Sequence, residues 1–547
     1  MANIVITINN KDKYEFNKGV SLREIINTIK DDDIICGLCN GRIVNYDDTF
    51  SKNSKIELYD VNNKVGNKIY EKGLLLLFEA CVKEVMGDDT EVVVCFSIDK
   101  GVYCQINKEV TKDTLSLIKK TMNNKVSKKI RFEKIETTRS EAITYFRNKK
   151  RLDKVKTLTY DTSSYVKLYK FENFYEYILG DLPYDSGILK YFDLSIIEGN
   201  GVVVRFPSVY DNKKIIKYTH HDNYFNSLDS YSSWGNVLNI NNFGDLNEKI
   251  INNGGGEIVN LAEIMQDYKL LSIAEEIVLK KDNIKIVLLS GPSSSGKTTT
   301  ARKLSLYLKT LGLNPVPLSI DDYFVEREDT PIDSDGNYDF ECLGAVDLKL
   351  FDLQVAKLLK GSEVITPTFD FVSGKKKFNK SMKLGKNDIL IIEGLHALNE
   401  DLLDNIPKKN KFKIYVSPLT YLNIDNDNRV SMTDIRLLRR MVRDNRTRGY
   451  KPEITLRNWA SVRKGEEKWV FPCQDNADVL FNSSLLYELS VIKTYAEPLL
   501  FSVREDDPEY QTALRLLELL KFVLPISSED VPKVSILREF IGGGYFE

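Results

Sequence analysis

The sequence lacks any hydrophobic run long enough to cross a bilayer. Its longest apolar stretch, near "GLLLLFEACV", is far shorter than the roughly 20 residues that a spanning helix needs. The start, "MANIVITINNKDKYEF", also lacks the succession of basic, apolar and small residues that marks a signal peptide. We therefore expect a cytoplasmic protein with no membrane partner.

The sequence also lacks a strong charge of either sign. It carries 77 Lys and Arg against 79 Asp and Glu, a net charge of −2, which argues against a general affinity for nucleic acid. Seven cysteines, an odd number over 547 residues, argue against a disulfide framework. A chain of this length and ordinary composition is expected to fold into several domains.

The hydrophobic pattern changes several times along the chain. Short alternating strands surround one helix near "SLREIINTIK". A mixed region follows, with the apolar helix "KGLLLLFEACVKEV" and a charged helical stretch, "TRSEAITYFRNKKRLDK". The "NNGGGE" turn then leads into connecting helices, and the chain ends in an apolar-rich helix and a tail of no derivable role. These changes predict five segments: 1–61, 62–220, 221–280, 281–505 and 506–547.

The segment from 281 to 505 predicts a parallel sheet. Continuous apolar strands, "IKIVLLS", "PVPLSI", "DILIIEG", "FKIYVS" and "ADVLF", alternate with helices, as in sheets that are covered on both faces. The predicted fold class is therefore α/β.

One of these strands runs into a phosphate-binding motif. The stretch "GPSSSGKTT" fits G-x-x-x-x-G-K-[ST] and is followed by a helix, the context that the motif requires; the alternative is a Ser/Gly-rich turn that binds nothing. Lys297 would reach the terminal phosphates, and the Thr298 hydroxyl would bind Mg²⁺. The predicted nucleotide-binding residues are Gly291, Ser293, Ser294, Ser295, Gly296, Lys297, Thr298 and Thr299.

Carboxylates follow two further strands of the predicted sheet. Glu393 ends "DILIIE", where it could join Thr298 in holding the metal. Asp321 and Asp322 follow "PVPLSI", where a kinase needs a base for the acceptor hydroxyl. Neighbouring side chains should diverge, so only one of this pair need face the site. The alternative for the pair is that one residue caps a helix and its neighbour is solvated.

An arginine row completes the candidate site. Arg436, Arg440 and Arg443 share one face of the helix predicted from "DIRLLRRMVRDNRTRG". Guanidinium groups can stabilise the charge of a transferring phosphoryl group. The alternative, a solvated helix face, is the commoner one for such a row taken alone.

Seven motifs together resemble the uridine kinase and phosphoribulokinase group, and uridine kinase most of all. "GPSSSGKTT", "SIDDYF", "NYDF", "PTFDF", "IIEG", "RRMVRDNRTRG" and "ADVLF" stand in the order and approximate spacing of that group. The resemblance implies a P-loop kinase that uses ATP or GTP with Mg²⁺, and a nucleoside or sugar substrate. It implies Asp321 as the base, Tyr338, Asp339, Phe369 and Arg448 at the substrate, and Arg440 and Arg443 with Lys297 at the phosphates.

The segment that reads the pyrimidine in that group differs here. Phe369 replaces a tyrosine and Gly374 stands in place of a histidine, while Phe324 and Tyr450 are further departures. The first hypothesis is a nucleoside kinase acting on a 5′-hydroxyl. A kinase for another sugar-like alcohol is the second, and an RNA-binding or regulatory protein with a nucleotide switch is the third. A homo-oligomer is expected.

The front half resembles other proteins. Residues 1–61 look like a TGS domain, and residues 62–220 are similar to the second additional domain of threonyl-tRNA synthetase. That resemblance implies that Lys72, Leu76, Ile178 and Leu182 stand where the editing site needs three histidines and a cysteine, so no editing centre is expected. A retained scaffold could still bind RNA through Arg147, Lys149, Lys150 and Arg151, although a solvated charge run is the more common case.

Overall fold

A computed structural model describes residues 3–197, 200–219, 225, 227, 234–332, 336, 338–370, 373–420 and 422–547. The predicted boundary between residues 220 and 221 lies outside this part of the chain.

The N-terminal region is a mixed five-stranded sheet with one helix against it. The strand order is β2-β1-β7-β4-β5, with β1 and β7 parallel and the other pairs antiparallel. Helix α1 begins after Ser21, whose side chain forms a capping box with Glu24, and it buries Leu22, Ile25 and Ile26 against the sheet. The elements are β1 (Asn3–Ile8), β2 (Asp12–Asn17), β3 (Val20–Ser21), α1 (Leu22–Ile29), β4 (Cys36–Cys39), β5 (Arg42–Val44), β6 (Thr49–Phe50) and β7 (Ser54–Tyr59).

The second region packs helices on two antiparallel sheets, of order β13-β14-β9-β8 and β10-β11-β12. The charged stretch predicted as one helix forms two, α4 and α5, because Lys150 takes a left-handed backbone conformation with φ 58°. The elements are α2 (Lys64–Met86), β8 (Val92–Ile98), β9 (Gly101–Ile106), α3 (Lys112–Lys128), β10 (Phe132–Thr138), α4 (Arg139–Asn148), α5 (Leu152–Thr159), β11 (Tyr165–Phe171), β12 (Phe174–Glu176), β13 (Asp193–Ile197) and β14 (Gly201–Arg205).

The predicted parallel sheet is confirmed, with order β16-β19-β15-β20-β21 and all four pairings parallel. Both faces are covered, since Ile286 and Leu288 join one buried cluster and Val287 and Leu289 join another. The elements are β15 (Ile286–Ser290), α8 (Lys297–Thr310), β16 (Asn314–Ser319), α9 (Leu348–Leu359), β17 (Val364–Asp370), β18 (Lys375–Met382), β19 (Asp388–Glu393), β20 (Lys411–Ser417), α10 (Met432–Arg448), α11 (Pro452–Trp469), β21 (Val479–Asn482) and α12 (Glu488–Phe501).

Further helices among the described residues pack on the parallel-sheet region. They are α6 (Phe243–Asn253), α7 (Gly255–Leu279), α13 (Tyr510–Lys521) and α14 (Arg538–Ile541). Leu270, Ala274 and Ile277 of α7 are buried in one cluster with strand β15, and Leu516 and Leu520 of α13 join another with α10. The five-segment division stays a prediction, but the segments on either side of 281–505 share its core.

A buried ionic network joins the second region to the parallel-sheet region. The Lys154 ammonium, fully buried, lies 2.8 Å from Asp425, 2.7 Å from Asp427 and 3.1 Å from Glu176. Burial alone would lower the pKa of Lys154, but these carboxylates hold it well above its ordinary value. Arg151 pairs with Glu176 and Asp427 as well, which leaves it unavailable for the RNA contact suggested from the sequence.

Three of the positions that the synthetase resemblance singled out line one cavity. Lys72, Leu76 and Ile178 line a cavity of about 160 Å³ between α2 and the residues that lead into α10. All seven cysteines fall in described residues, and no disulfide joins any of them. Over the described ranges, no helix is long and apolar enough to span a membrane.

Candidate active site

The loop between β15 and α8 has a backbone that requires glycine at both ends. A Cβ on Gly291 would lie 1.9 Å from the Val416 carbonyl oxygen on the neighbouring strand, so no side chain fits there. Gly296 has φ +84°, and a Cβ there would lie 2.6 Å from Ile536. The loop therefore curls tightly between β20 and the C-terminal segment and leads into the N-terminus of α8, a position that suits an anion.

Lys297, the first residue of α8, folds back over this loop. Its Nζ donates to the carbonyl oxygens of Gly291 at 2.9 Å and Pro292 at 3.1 Å. Burial lowers the pKa of Lys297, and the negative charges of Glu393 and Asp321 oppose that effect. The ammonium thus contacts the loop and is influenced by two carboxylates, the predicted base Asp321 and the predicted metal ligand Glu393.

Two carboxylates accept hydrogen bonds from donors of the loop and of the helix that follows it. Glu466 of α11 accepts from the Ser293 amide at 2.7 Å, and Glu539 of α14 accepts from the Thr299 amide at 3.2 Å. The buried hydroxyls of Ser294 and Ser295 have no hydrogen-bond partner among the described residues. The Ser293 and Thr299 amides already donate to carboxylates, so the loop and the start of α8 fit the phosphates of a nucleotide.

Glu393 ends β19 beside the loop. It pairs in register with Leu289 of β15 and Ser319 of β16, and the Ser319 hydroxyl donates to its Oε1 at 3.0 Å. Burial raises the pKa of Glu393 to about 7, with Asp321 adding to the rise. Glu393 and the half-buried Thr298 in the first turn of α8 are the residues that could hold Mg²⁺.

Asp321 and Asp322 lie in the 3-10 helix Ile320–Tyr323 directly after β16 and point to different surroundings. Asp322 accepts from the Phe369 amide at 3.3 Å, and so ties the helix to the β17–β18 hairpin. Burial raises the pKa of Asp321, while the cations of Lys297, Arg443 and Arg448 oppose the rise. Asp321 is therefore the member of the pair whose electrostatic neighbours include the cations predicted to bind phosphate.

The arginines of α10 converge on one buried carboxylate. Asp444 lies 3.3 Å from Arg440, 2.9 Å from Arg443 and 3.5 Å from Arg448. Arg440 also donates to the Ser293 hydroxyl at 2.7 Å, so this cluster touches the phosphate loop. Arg436, on the same face, is almost fully buried and donates to the Ser293 carbonyl. It also pairs with Glu466, which accepts a hydrogen bond from the Ser293 amide of the loop.

The predicted substrate residues Tyr338, Asp339 and Phe369 each have contacts within their own segment, 281–505. The Tyr338 ring is 45% exposed and lies 5.9 Å from the ring of Phe340, while Asp339 accepts from the Glu341 amide at 3.2 Å. The Phe369 ring packs 5.7 Å from that of Phe324. A Cβ on Gly374 would lie 2.8 Å from the Cβ of Arg327, so this hairpin position packs on protein.

Sequence reasoning missed three carboxylates of the site, Glu341, Glu466 and Glu539. Glu341 has a buried Oε2 with no hydrogen-bond partner among the described residues, and burial raises its pKa to about 7. Glu341 directly follows the motif "NYDF", and this position is the signal that could have drawn attention to it. Glu466 and Glu539 lie 173 and 240 residues from their loop partners and carry no such signal.

The parallel sheet, the loop and the carboxylates at the strand ends define a P-loop kinase domain. A profile described as "Phosphoribulokinase / Uridine kinase family" matches residues 286–487. The chain belongs to this family, whose kinases are phosphotransferases with an alcohol acceptor.

Two relatives and one solved structure show the extent of the similarity. A uridine kinase of Borrelia duttonii is 30% identical over 220 residues, covering 38% of this chain and 93% of the relative. A uridine kinase of Deinococcus deserti is 27% identical over 197 residues, covering 36% and 86%. A D-glycerate 3-kinase structure from Cryptococcus neoformans covers 50% of this chain and 87% of its own at 14% identity, with a TM-score of 0.22, too low to bear on the fold.

Proposed function

We propose that the protein is a nucleoside kinase that transfers the γ-phosphate of ATP or GTP to the 5′-hydroxyl of a nucleoside. The observation that carries this proposal is the divergence of Asp321 from Asp322. Asp321 has Lys297 and two arginines of α10 as electrostatic neighbours, where an acceptor hydroxyl would meet the phosphate donor. A nucleotide-binding switch would need no base at this position.

Each residue of the site has a separate part in this reaction. Asp321 accepts the proton of the acceptor hydroxyl, and Lys297 turns from the loop carbonyls to the terminal phosphates. Arg440, Arg443 and Arg448 offset the negative charge that builds up on the transferring group. Thr298 and Glu393 would hold Mg²⁺, which would supply positive charge to neutralise the donor phosphates.

A kinase for another sugar-like alcohol is the second candidate, and the hairpin favours it. Gly374 packs against Arg327 and offers no ring to a pyrimidine edge, and Phe369 has no hydroxyl to donate. The substrate would then be recognised through its hydroxyl groups, for which Asp339 and Glu341 are suited acceptors.

An acceptor screen tests the two candidates. The full chain is incubated with Mg·ATP and, one at a time, nucleosides and pentose phosphates, and ADP release is followed. We expect a nucleoside to raise the rate of ADP release over the acceptor-free rate. A rise with pentose phosphates alone would contradict the nucleoside assignment, and no rise with any acceptor would contradict both kinase assignments.

For the front half, we propose a TGS-like module followed by an editing-like scaffold without editing activity. Lys72, Leu76 and Ile178 offer neither a metal ligand nor a base at the cavity they line, apart from the Lys72 amine, which donates to the Leu179 carbonyl. The full chain should not deacylate mischarged threonyl-tRNA. Hydrolysis above the uncatalysed rate would contradict this proposal.

A further inference from the structure

The C-terminal segment places a carboxylate on the phosphate-binding machinery. Glu539 accepts a hydrogen bond from the Thr299 hydroxyl at 2.7 Å and one from the Thr299 amide at 3.2 Å. Both donors belong to the first turn of α8, where the helix dipole adds positive potential. Thr299 is also one of the predicted nucleotide-binding residues, so a donor phosphate and Glu539 need the same two hydrogen-bond donors.

The backbone around Glu539 is held firmly in place. Phe540 is fully buried and Ile541 is 5% exposed, and both join the large core that includes α10. Arg446 of α10 donates to the carbonyl oxygens of Glu539 at 3.2 Å and Phe540 at 3.3 Å. Because main chain and neighbours are fixed, the side chain of Glu539 is the part that can leave Thr299 at low cost.

The segment also touches the loop beside Thr299. Ile536 is fully buried and lies where a side chain on Gly296 would be, at 2.6 Å from that ideal Cβ. Arg302, one turn further along α8, donates to the Phe546 carbonyl. The C-terminal segment therefore contacts the start of α8 on both sides of Thr299. Thr299 is the residue at which the Glu539 carboxylate and the anion site meet.

We propose that Glu539 is an internal competitor of the phosphate donor: its carboxylate occupies the Thr299 end of the anion site, and a nucleotide phosphate must displace it to bind. Glu539 thereby sets the affinity of the kinase for its donor. This inference rests on the nucleotide use in the proposed function and is independent of which alcohol is the acceptor.

Binding of Mg·ADP to the full chain tests the inference, because ADP occupies the donor site without turnover. Calorimetric Kd values are compared for the wild type, Glu539→Gln, Glu539→Ala and the control Glu529→Gln, which changes an exposed carboxylate of the same segment. We expect both Glu539 variants to bind Mg·ADP roughly three- to tenfold more tightly, since a carboxylate no longer competes for two hydrogen bonds. The control should bind as the wild type does.

The outcomes separate this inference from the proposed function. Equal affinity in wild type and Glu539 variants would overturn the competitor role, and weaker affinity would show instead that Glu539 contacts the bound nucleotide. If no protein, wild type included, bound Mg·ADP, nucleotide use would be wrong and both proposals would fall. Glu539→Gln keeps the shape of the side chain, so its result stands even where Glu539→Ala is unstable.

Discussion

At the scale of single residues, the site depends on side chains whose surroundings differ from those of their sequence neighbours. Asp321 and Asp322 are adjacent, yet one has cations of the site as its neighbours and the other binds the Phe369 amide. Lys297, Thr298 and the glycines were predictable because the motif fixes their spacing and backbone. Glu466 and Glu539 were not, because only the folded chain brings α11 and α14 to the loop.

His396 gives a prediction on pH. Burial lowers the pKa of His396 to about 4, against 6.5 in an unfolded chain. Between these values the unfolded chain binds a proton that the folded chain does not, so the free energy of unfolding falls as pH falls through this window. The full loss from this one group is about 3 kcal/mol, at about 1.4 kcal/mol per pKa unit.

His396→Phe should remove that part of the pH dependence. The free energy of unfolding is measured in urea for the wild type and the variant, at pH 7.5 and at pH 5. The loss between the two pH values is then compared between the proteins, and in this comparison the other titrating groups cancel. We expect the wild type to lose more stability than the variant. Parallel losses in the two proteins would contradict the buried, neutral state of this imidazole.

At the scale of elements, α10 orients three arginines through one carboxylate. Asp444 is 1% exposed and pairs with Arg440, Arg443 and Arg448. Asp444→Asn would leave three like charges together without their counter-charge. The guanidinium groups would then repel one another and lose their orientation toward the phosphates. We expect kcat/KM to fall by about tenfold or more, which corresponds to at least ~1.4 kcal/mol in the transition state.

Steady-state kinetics of Asp444→Asn against Glu400→Gln checks this prediction. Glu400 forms surface ion pairs with Lys408 and Lys413 away from the loop, so its loss should change kcat/KM little. A similar kcat/KM in both variants would show that Asp444 does not orient the arginines.

The elements themselves were predictable to different degrees. The parallel strands follow from continuous apolar runs, because such runs are stable where both faces are covered. The break between α4 and α5 did not follow from periodicity, since it depends on the left-handed conformation of Lys150. Helix α7 was expected to connect regions, but Leu270 and Ile277 pack in the kinase core, a tertiary contact that a local pattern does not contain.

At the scale of the whole molecule, Lys154 links the front half to the kinase region. Its ammonium is paired with Glu176, Asp425 and Asp427, whose side chains are at most 3% exposed. Lys154→Met would leave these carboxylates short of a counter-charge, which typically costs about 3–5 kcal/mol. We therefore expect a large drop in Tm or a separate early unfolding step.

Lys134→Met is the matched control for this whole-molecule prediction. Lys134 pairs with Asp181 at 3.0 Å on the surface, where such a pair contributes less than about 1 kcal/mol. Calorimetric melting of both variants decides the matter. Equal Tm values for the two variants would contradict the view that the network holds the two halves together.

The central claim, phosphoryl transfer to an alcohol with Asp321 as base, is tested most directly by identifying the products. The full chain is incubated with Mg·ATP and the best acceptor of the screen, and the products are identified by mass spectrometry. The proteins compared are the wild type, Asp321→Asn, Asp322→Asn and Lys297→Ala. We expect equal amounts of ADP and phosphorylated acceptor from the wild type and from Asp322→Asn. Asp321→Asn should be slower by ~100-fold to ~10,000-fold, and Lys297→Ala should be nearly inactive. Release of inorganic phosphate without a phosphorylated acceptor, or a greater loss in Asp322→Asn than in Asp321→Asn, would contradict the account.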